Sequence, residues 1–503
     1  MRASGQGVFA AARVAGLSMV YMQALSLLSG VLIARVVGAA DYGIFSIARA
    51  LVLNTHIVVR LGLDVGLQRY LGEQGLGSTE RDQRLAHVAR LRRVVLALSL
   101  AVLLALALGG ALWLEHHIYR HPGFAWVLLG AAVALPFMAD LSVLGGVYRG
   151  LLQITPSVLA EYVMLPTVRL LVIVLLFGVG WRLWAVVAGT TLASAVAAAA
   201  LAWRARRVLR RLAPLPAQPL AGLLRMPVFR YSLVLSLSTI VVSLARSADL
   251  LMLGHFRSAA EAGQYAVAQM AMAVIALFGS AVGQTTGPRV AALHSQGDQA
   301  GLAAMMQRQA RWIALLSIPL CAVMMVWGQR LLLVFGPGFQ IDAAVLAVLA
   351  VNQYALAVLT PSGWLLSMTG HHRAELWVML VGLVLMLCLG FWLIPLLGQM
   401  GAAIALLSAS LAANVCRVLL SHLRLGILAL SWQHVGMTLW PLALAGLLEA
   451  LRHALRGPAS LWDAVAMVLV YGLLYGGLVW RFGLLPAEQQ ALRARWPARR
   501  AGP

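Results

Sequence analysis

The chain has 503 residues, of which 62% are hydrophobic and only 11% charged, and its mean hydropathy is +0.88. Soluble chains carry roughly 25% charged residues, so the composition excludes a soluble globular protein and requires a polytopic membrane protein. The formal net charge of +22 comes from arginine, since the sequence has no lysine. In so apolar a chain that charge belongs to membrane-flanking loops and gives no reason to expect a nucleic-acid partner.

Apolar runs bounded by charges or turn residues predict fourteen spans, all helical. They lie near 15–37, 43–65, 93–114, 124–148, 157–180, 183–203, 231–254, 264–287, 311–335, 341–368, 374–396, 400–420, 434–454 and 462–482. The first run lacks a small-residue cleavage site, so an uncleaved first helix is expected. The intervening loops alternate in charge. One face holds Arg2 and Arg13, the arginines from Arg69 to Arg93, Arg149, "RARRVLRR" (Arg204–Arg211), Arg289, Arg308, Arg311, Arg373, Arg417, Arg424 and the basic tail. The other face has only Arg120, Arg182, Arg257, Arg330, Arg452 and Arg456. Arginine-rich short loops stay in the cytoplasm, so both termini are expected there. Cys321, Cys388 and Cys416 all sit in apolar runs with no CxxC spacing, so neither a disulfide framework nor a metal site is expected.

The sequence also resembles itself. "GIFSIA" (Gly43–Ala48) matches "GQYAVA" (Gly263–Ala268) at a shift of 220, and Arg69 meets Arg289 at the same shift. "HPGFA" (His121–Ala125) matches "GPGFQ" (Gly336–Gln340), and Gly180 matches Gly398. The repeat contains six spans, an even number, so the halves are expected to be parallel. This gives an N-lobe over 1–205 with spans 1 to 6, a basic cytoplasmic linker over 206–230, and a C-lobe over 231–425 with spans 7 to 12. Residues 426–503 hold spans 13 and 14 and a basic cytoplasmic tail. Two six-helix lobes around a cleft suit a transporter that rocks.

Charges inside the spans are expensive, about 2.5–3.5 kcal/mol each even on lenient scales, and mark candidate sites. Span 2 carries Arg49, His56 and Arg60. At about 100° per residue, Arg49 and His56 lie within about 20° of each other and Arg60 falls on the same side. A cationic stripe of this kind is expected to face a cavity or a partner helix. Arg60 is equally placed to pair with Asp64 one turn on, and His56 to hydrogen-bond within the bundle. Arg246 and Asp249 in span 7 are spaced i,i+3, so local compensation competes with a cavity role for them too. Arg246 is expected at a depth comparable to Arg49 in the opposite lobe. Asp140 and Glu161 are candidates for ion coupling or pairing, with Arg169 as a partner. Glu449 in span 13 has no assigned role. No catalytic constellation, phosphate loop, metal cluster or cofactor site is discernible, and only "EHHIYRHPG" (Glu115–Gly123) stands out on the arginine-poor side. The chain is therefore not expected to be an enzyme.

Several segments resemble the polysaccharide transporters. "ARVVGAADYGIFSIARA" is similar to their opening motif, and "ADLLMLGHFRSAAEAGQYAVA" to their seventh-span signature. "LLLVFGPGF" resembles the entry to span 10, and "GQMGAAIALLSA" the start of span 12. The resemblance covers roughly residues 8–425, and it places the chain with the oligosaccharide (O-antigen-unit, Wzx-like) flippases. Their superfamily is that of multidrug, oligosaccharidyl-lipid and polysaccharide exporters. It implies a two-lobed, V-shaped transporter of twelve to fourteen helices in a bacterial inner membrane. It also implies flipping of undecaprenyl-diphosphate-linked sugars to the outer leaflet for O-antigen or exopolysaccharide, beside glycosyltransferases and a glycan polymerase of the same pathway. Lipid II flippases carry a cavity arginine on span 2, where this chain has Arg49. Their arginine pair on span 1 has no clear counterpart, since only Arg13 stands there. The competing readings are a cation-coupled multidrug exporter of the same superfamily and a membrane glycan polymerase or ligase. The first would favour acidic and aromatic cavity residues, and the second a substantial extramembrane loop.

Overall fold

A computed structural model of the chain describes residues 2–72, 78–209, 227–359, 361–427, 433–456, 460–483 and 488–490. Most of the expected 206–230 linker and the end of the basic tail lie outside these residues. The described residues contain helices and no strand. Helices α1 (Arg2–Val37), α2 (Ala39–Val59), α3 (Leu63–Gly72) and α4 (Ser78–Ala105) are followed by α5 (Phe124–Ala132) and α6 (Leu135–Gly150). Then come α7 (Leu165–Gly178), α8 (Leu183–Leu209), α9 (Pro227–Phe256) and α10 (Ala259–Ser295). The chain continues through α11 (Gln299–Leu331), α12 (Ala343–Leu359), α13 (Pro361–Met368), α14 (His372–Leu397), α15 (Gln399–Leu425), α16 (Gln433–Arg456) and α17 (Leu461–Leu478). Twelve helical runs among the described residues are long and apolar enough to cross a membrane. The other two expected spans fall on α10 and α16. The protein is an all-α, multi-pass membrane protein.

The described chain divides into two compact units. The first comprises residues 1–267, 335–339 and 379–405, and the second 268–334, 340–378 and 406–503. In the first, α6 packs against α3, α4 and α8, and α9 runs along α2 and α3. Val59, Leu63, Leu67, Leu91, Val143 and Val147 belong to one of its apolar clusters. In the second, α11 is the hub, packed against α12, α16 and α17.

Glycine decides the closest approach in the first unit. A Cβ at Gly43 would lie 1.7 Å from the carbonyl oxygen of Ala259, and one at Gly263 would lie 2.0 Å from that of Ala39. The contact is reciprocal under the 220-residue shift, since Ala39 and Gly43 correspond to Ala259 and Gly263. Such mutual exchange of partners is the signature of an isologous contact. The matched pair Gly180 and Gly398 both adopt left-handed φ, +92° and +58°, where each chain turns into its next helix. Gly43→Val overpacks a backbone contact that has no slack, at a cost of about 1–3 kcal/mol. The detergent-solubilised variant should melt several degrees below the parent, and an unchanged Tm would show that these helices can part freely.

Candidate functional site

The intramembrane charges of the first unit sort into two classes. Asp64, Asp140, Glu161 and Asp249 all have protein partners. Asp140 on α6 receives two hydrogen bonds from Arg92 on α4, the Nη2–Oδ2 contact being 2.8 Å. Glu161 receives Arg149 at 3.0 and 3.1 Å. It sits on a wide π-helical turn, Leu159–Met164, just ahead of Pro166. Proline lacks the N–H that a regular helix would use there, and the widened turn re-aims the side chains around it. Asp64 pairs with Arg60 at 2.9 Å, with both side chains mostly buried. Asp249 is fully buried, and its carboxylate accepts the Tyr265 hydroxyl at 3.0 Å and the Leu250 amide at 2.8 Å.

Three arginines differ. Arg49 on α2, Arg169 on α7 and Arg246 on α9 have no hydrogen bond or ion pair among the described residues. Arg49 and Arg246 are exposed, while Arg169 is partly buried and its Nε is enclosed without an acceptor. Arg49 and Arg169 lie within electrostatic reach of each other and of Tyr42. The two like charges repel each other, an arrangement that an anion would relieve.

The sequence expectations are sorted accordingly. Arg169 is not the partner of Asp140 or Glu161, because Arg92 and Arg149 occupy those carboxylates. Arg246 and Asp249 do not compensate each other locally: the arginine is exposed, whereas the aspartate is turned inward to Tyr265. His56 lies on the same side of α2 as Arg49 but one depth further along, where α6 covers it; it is buried, with Nε2 3.1 Å from the Ser142 hydroxyl. Arg60 caps the end of α2 and is held by Asp64.

One polar group on α2 escaped the sequence reading. Asn54 donates to Ser247 Oγ at 2.8 Å and accepts from Ser243 Oγ at 2.7 Å, joining α2 to α9. A lone asparagine mid-span was the available signal. Asn54 also sets the depth scale. Arg49 is five residues from it and Arg246 stands beside Ser247, so the two arginines differ in depth by roughly 6 Å at 1.5 Å per residue. Arg49 lies about 140° around α2 from Asn54. It therefore points away from the α9 contact, and the structure groups it with Arg169 rather than with Arg246.

In the second unit, Glu449 on α16 gathers Trp327 Nε1, Arg330 Nη2 and Arg452 Nη2, each at 2.8 Å. This network fastens α16 to α11, and with it Glu449 acquires a packing role. Arg417 pairs with Glu375 at 2.8 Å. No group of three or more His, Cys, Asp or Glu side chains able to hold a metal occurs among the described residues.

The fold is similar to solved membrane transporters. A lipid II flippase, MurJ, in an inward closed conformation aligns with TM-score 0.73 and 9% identity, over 93% of this chain and 98% of that one. An inward-facing multidrug resistance transporter of the MATE family aligns with TM-score 0.62 and 15% identity, over 82% and 98%. A third, from Pyrococcus furiosus, is a transporter of the same MOP superfamily described as having a binding pocket of reversed polarity. It aligns with TM-score 0.57 and 15% identity, over 83% and 95%. At these identities the likeness establishes the fold alone. No curated protein matches the sequence. A family match runs over residues 32–338, and the chain belongs to the polysaccharide biosynthesis protein family.

Proposed function

We propose that the protein is a flippase. It would carry undecaprenyl-diphosphate-linked oligosaccharide from the cytoplasmic to the outer leaflet of a bacterial inner membrane, for cell-surface polysaccharide synthesis. The observation that carries this reading is the division of charges: every acid described above has a protein partner, while Arg49, Arg169 and Arg246 have none. A diphosphate with about two negative charges does not enter a low-dielectric interior unpaired. Arginine meets it with a planar, permanently charged fork. Alternating access moves the head group while the polyprenyl tail stays in lipid. No bond is made or broken, so the activity is transport. A cation-coupled drug exporter would need the opposite arrangement, with free acids and compensated arginines.

The test is binding in nanodiscs with a short-chain polyprenyl-diphosphate sugar. The diphosphate compound should bind at least about tenfold more tightly than the matching monophosphate, one charge-assisted contact being worth about that factor. Equal affinity for the two, or tighter binding of a lipophilic cation, would overturn the reading. The orientation has its own check: reporter fusions at Arg211 and Gly123 should fall on opposite faces, with Arg211 cytoplasmic. A reporter at Arg211 active only outside the cell would invert the assignment.

A further inference from the structure

A groove of about 740 Å³ runs between α5 and α8 in the first unit, and none of the arginines described above lines it. Its wall on α8 is a single stripe in which Trp184, Ala188 and Leu192 recur at i, i+4 and i+8. Val133 and Gly130 form the opposite wall. The two helices touch at its floor, where the Thr191 hydroxyl donates to the Gly130 carbonyl at 3.4 Å. The lining is mostly apolar; besides the Thr191 hydroxyl, which is taken up by Gly130, it has one charged group, at its upper end. Arg182 stands there beside Trp181, exposed and without an ion pair among the described residues. Trp181 and Trp184 are about half exposed, at 51% and 47%.

The dimensions and chemistry identify the occupant. Ten residues separate Arg182 from Leu192, about 15 Å of helix, and half of a 30 Å hydrocarbon core is the same length. Paired tryptophans mark the level where head groups meet acyl chains. Arg182 also lies on the arginine-poor face, where few cations are kept. A phosphate at that level satisfies it through a charge-assisted contact, and the apolar stripe below takes a hydrocarbon chain.

We propose that this groove binds one anionic phospholipid of the leaflet on the arginine-poor face. Its phosphate lies on Arg182 and one acyl chain runs along the Trp184–Leu192 stripe. The site is independent of the transported substrate. The experiment reconstitutes the full chain with equal amounts of phosphatidylglycerol and phosphatidylcholine, re-extracts it in mild detergent, and counts retained lipids by native mass spectrometry. The parent should keep one phosphatidylglycerol in preference to phosphatidylcholine. Arg182→Gln should reduce that preference about tenfold. Ala188→Phe, which fills the groove, should lose retention of both lipids, and Arg120→Gln, another arginine of the same face, should behave as the parent. Size-exclusion profiles of the variants confirm that they are folded. Unchanged selectivity in Arg182→Gln, equal retention of the two lipids by the parent, or displacement of phosphatidylglycerol by equimolar undecaprenyl phosphate would each overturn the proposal.

Discussion

Arg49→Ala is expected to abolish glycan export while the protein accumulates in the membrane at its normal level. Both halves of that expectation follow from one observation: Arg49 has no hydrogen bond or ion pair among the described residues. Removing it leaves no buried carboxylate behind, and it relieves the repulsion from Arg169. The fold should therefore survive. Under the proposed function, a diphosphate head group would lose a charge-assisted contact worth about 1.5–3 kcal/mol, or roughly 10- to 100-fold in affinity. Arg49→Lys keeps the charge and loses the fork, so it should recover only part of the export. Under the proposed function a single head group would bridge both side chains, so Arg169→Ala should give the same phenotype and the double variant should be little worse than either single one. Wild-type export by Arg49→Ala at normal abundance would remove the anion-binding role from this pair.

How much of this was legible in the sequence differs from feature to feature. The spans were readable because uninterrupted apolar length is a one-dimensional property; Leu183–Leu209 and Gln399–Leu425 begin near their expected positions. The glycine motif at Gly43 and Gly263 was readable as a repeat, but not as a contact. Spacing alone does not reveal that each glycine meets the other's preceding turn. The charge pairs were least legible. Arg246 and Asp249 are three residues apart and were natural partners on a helix surface, yet burial separates them. Asp249 is wholly enclosed and needs the Tyr265 hydroxyl, sixteen residues along the chain. Asp140 finds Arg92, forty-eight residues back on α4. Such pairings depend on which helix faces pack together, and hydropathy does not encode that.

Asp140→Ala should behave in the opposite way to Arg49→Ala: folded protein falls, and whatever reaches the membrane still exports. Asp140 holds Arg92 through both carboxylate oxygens, with side-chain exposures of 9% for the acid and 28% for the base. Truncating it strands the partly buried guanidinium of Arg92 without its carboxylate. Breaking a buried pair by removing one partner costs about 3–5 kcal/mol, and the residual exposure of Arg92 places this one near the lower value. Replacing both partners by apolar residues removes the stranded charge, so Arg92→Met with Asp140→Leu should regain most of the loss. A proton- or cation-coupling role for Asp140 makes a different forecast. The double replacement would then restore abundance but leave the protein unable to transport. Measuring thermal stability and export across the parent, Arg92→Met, Asp140→Leu and the double variant separates the two. Coincident recovery of both assigns Asp140 to packing, and recovery of stability alone assigns it to transport.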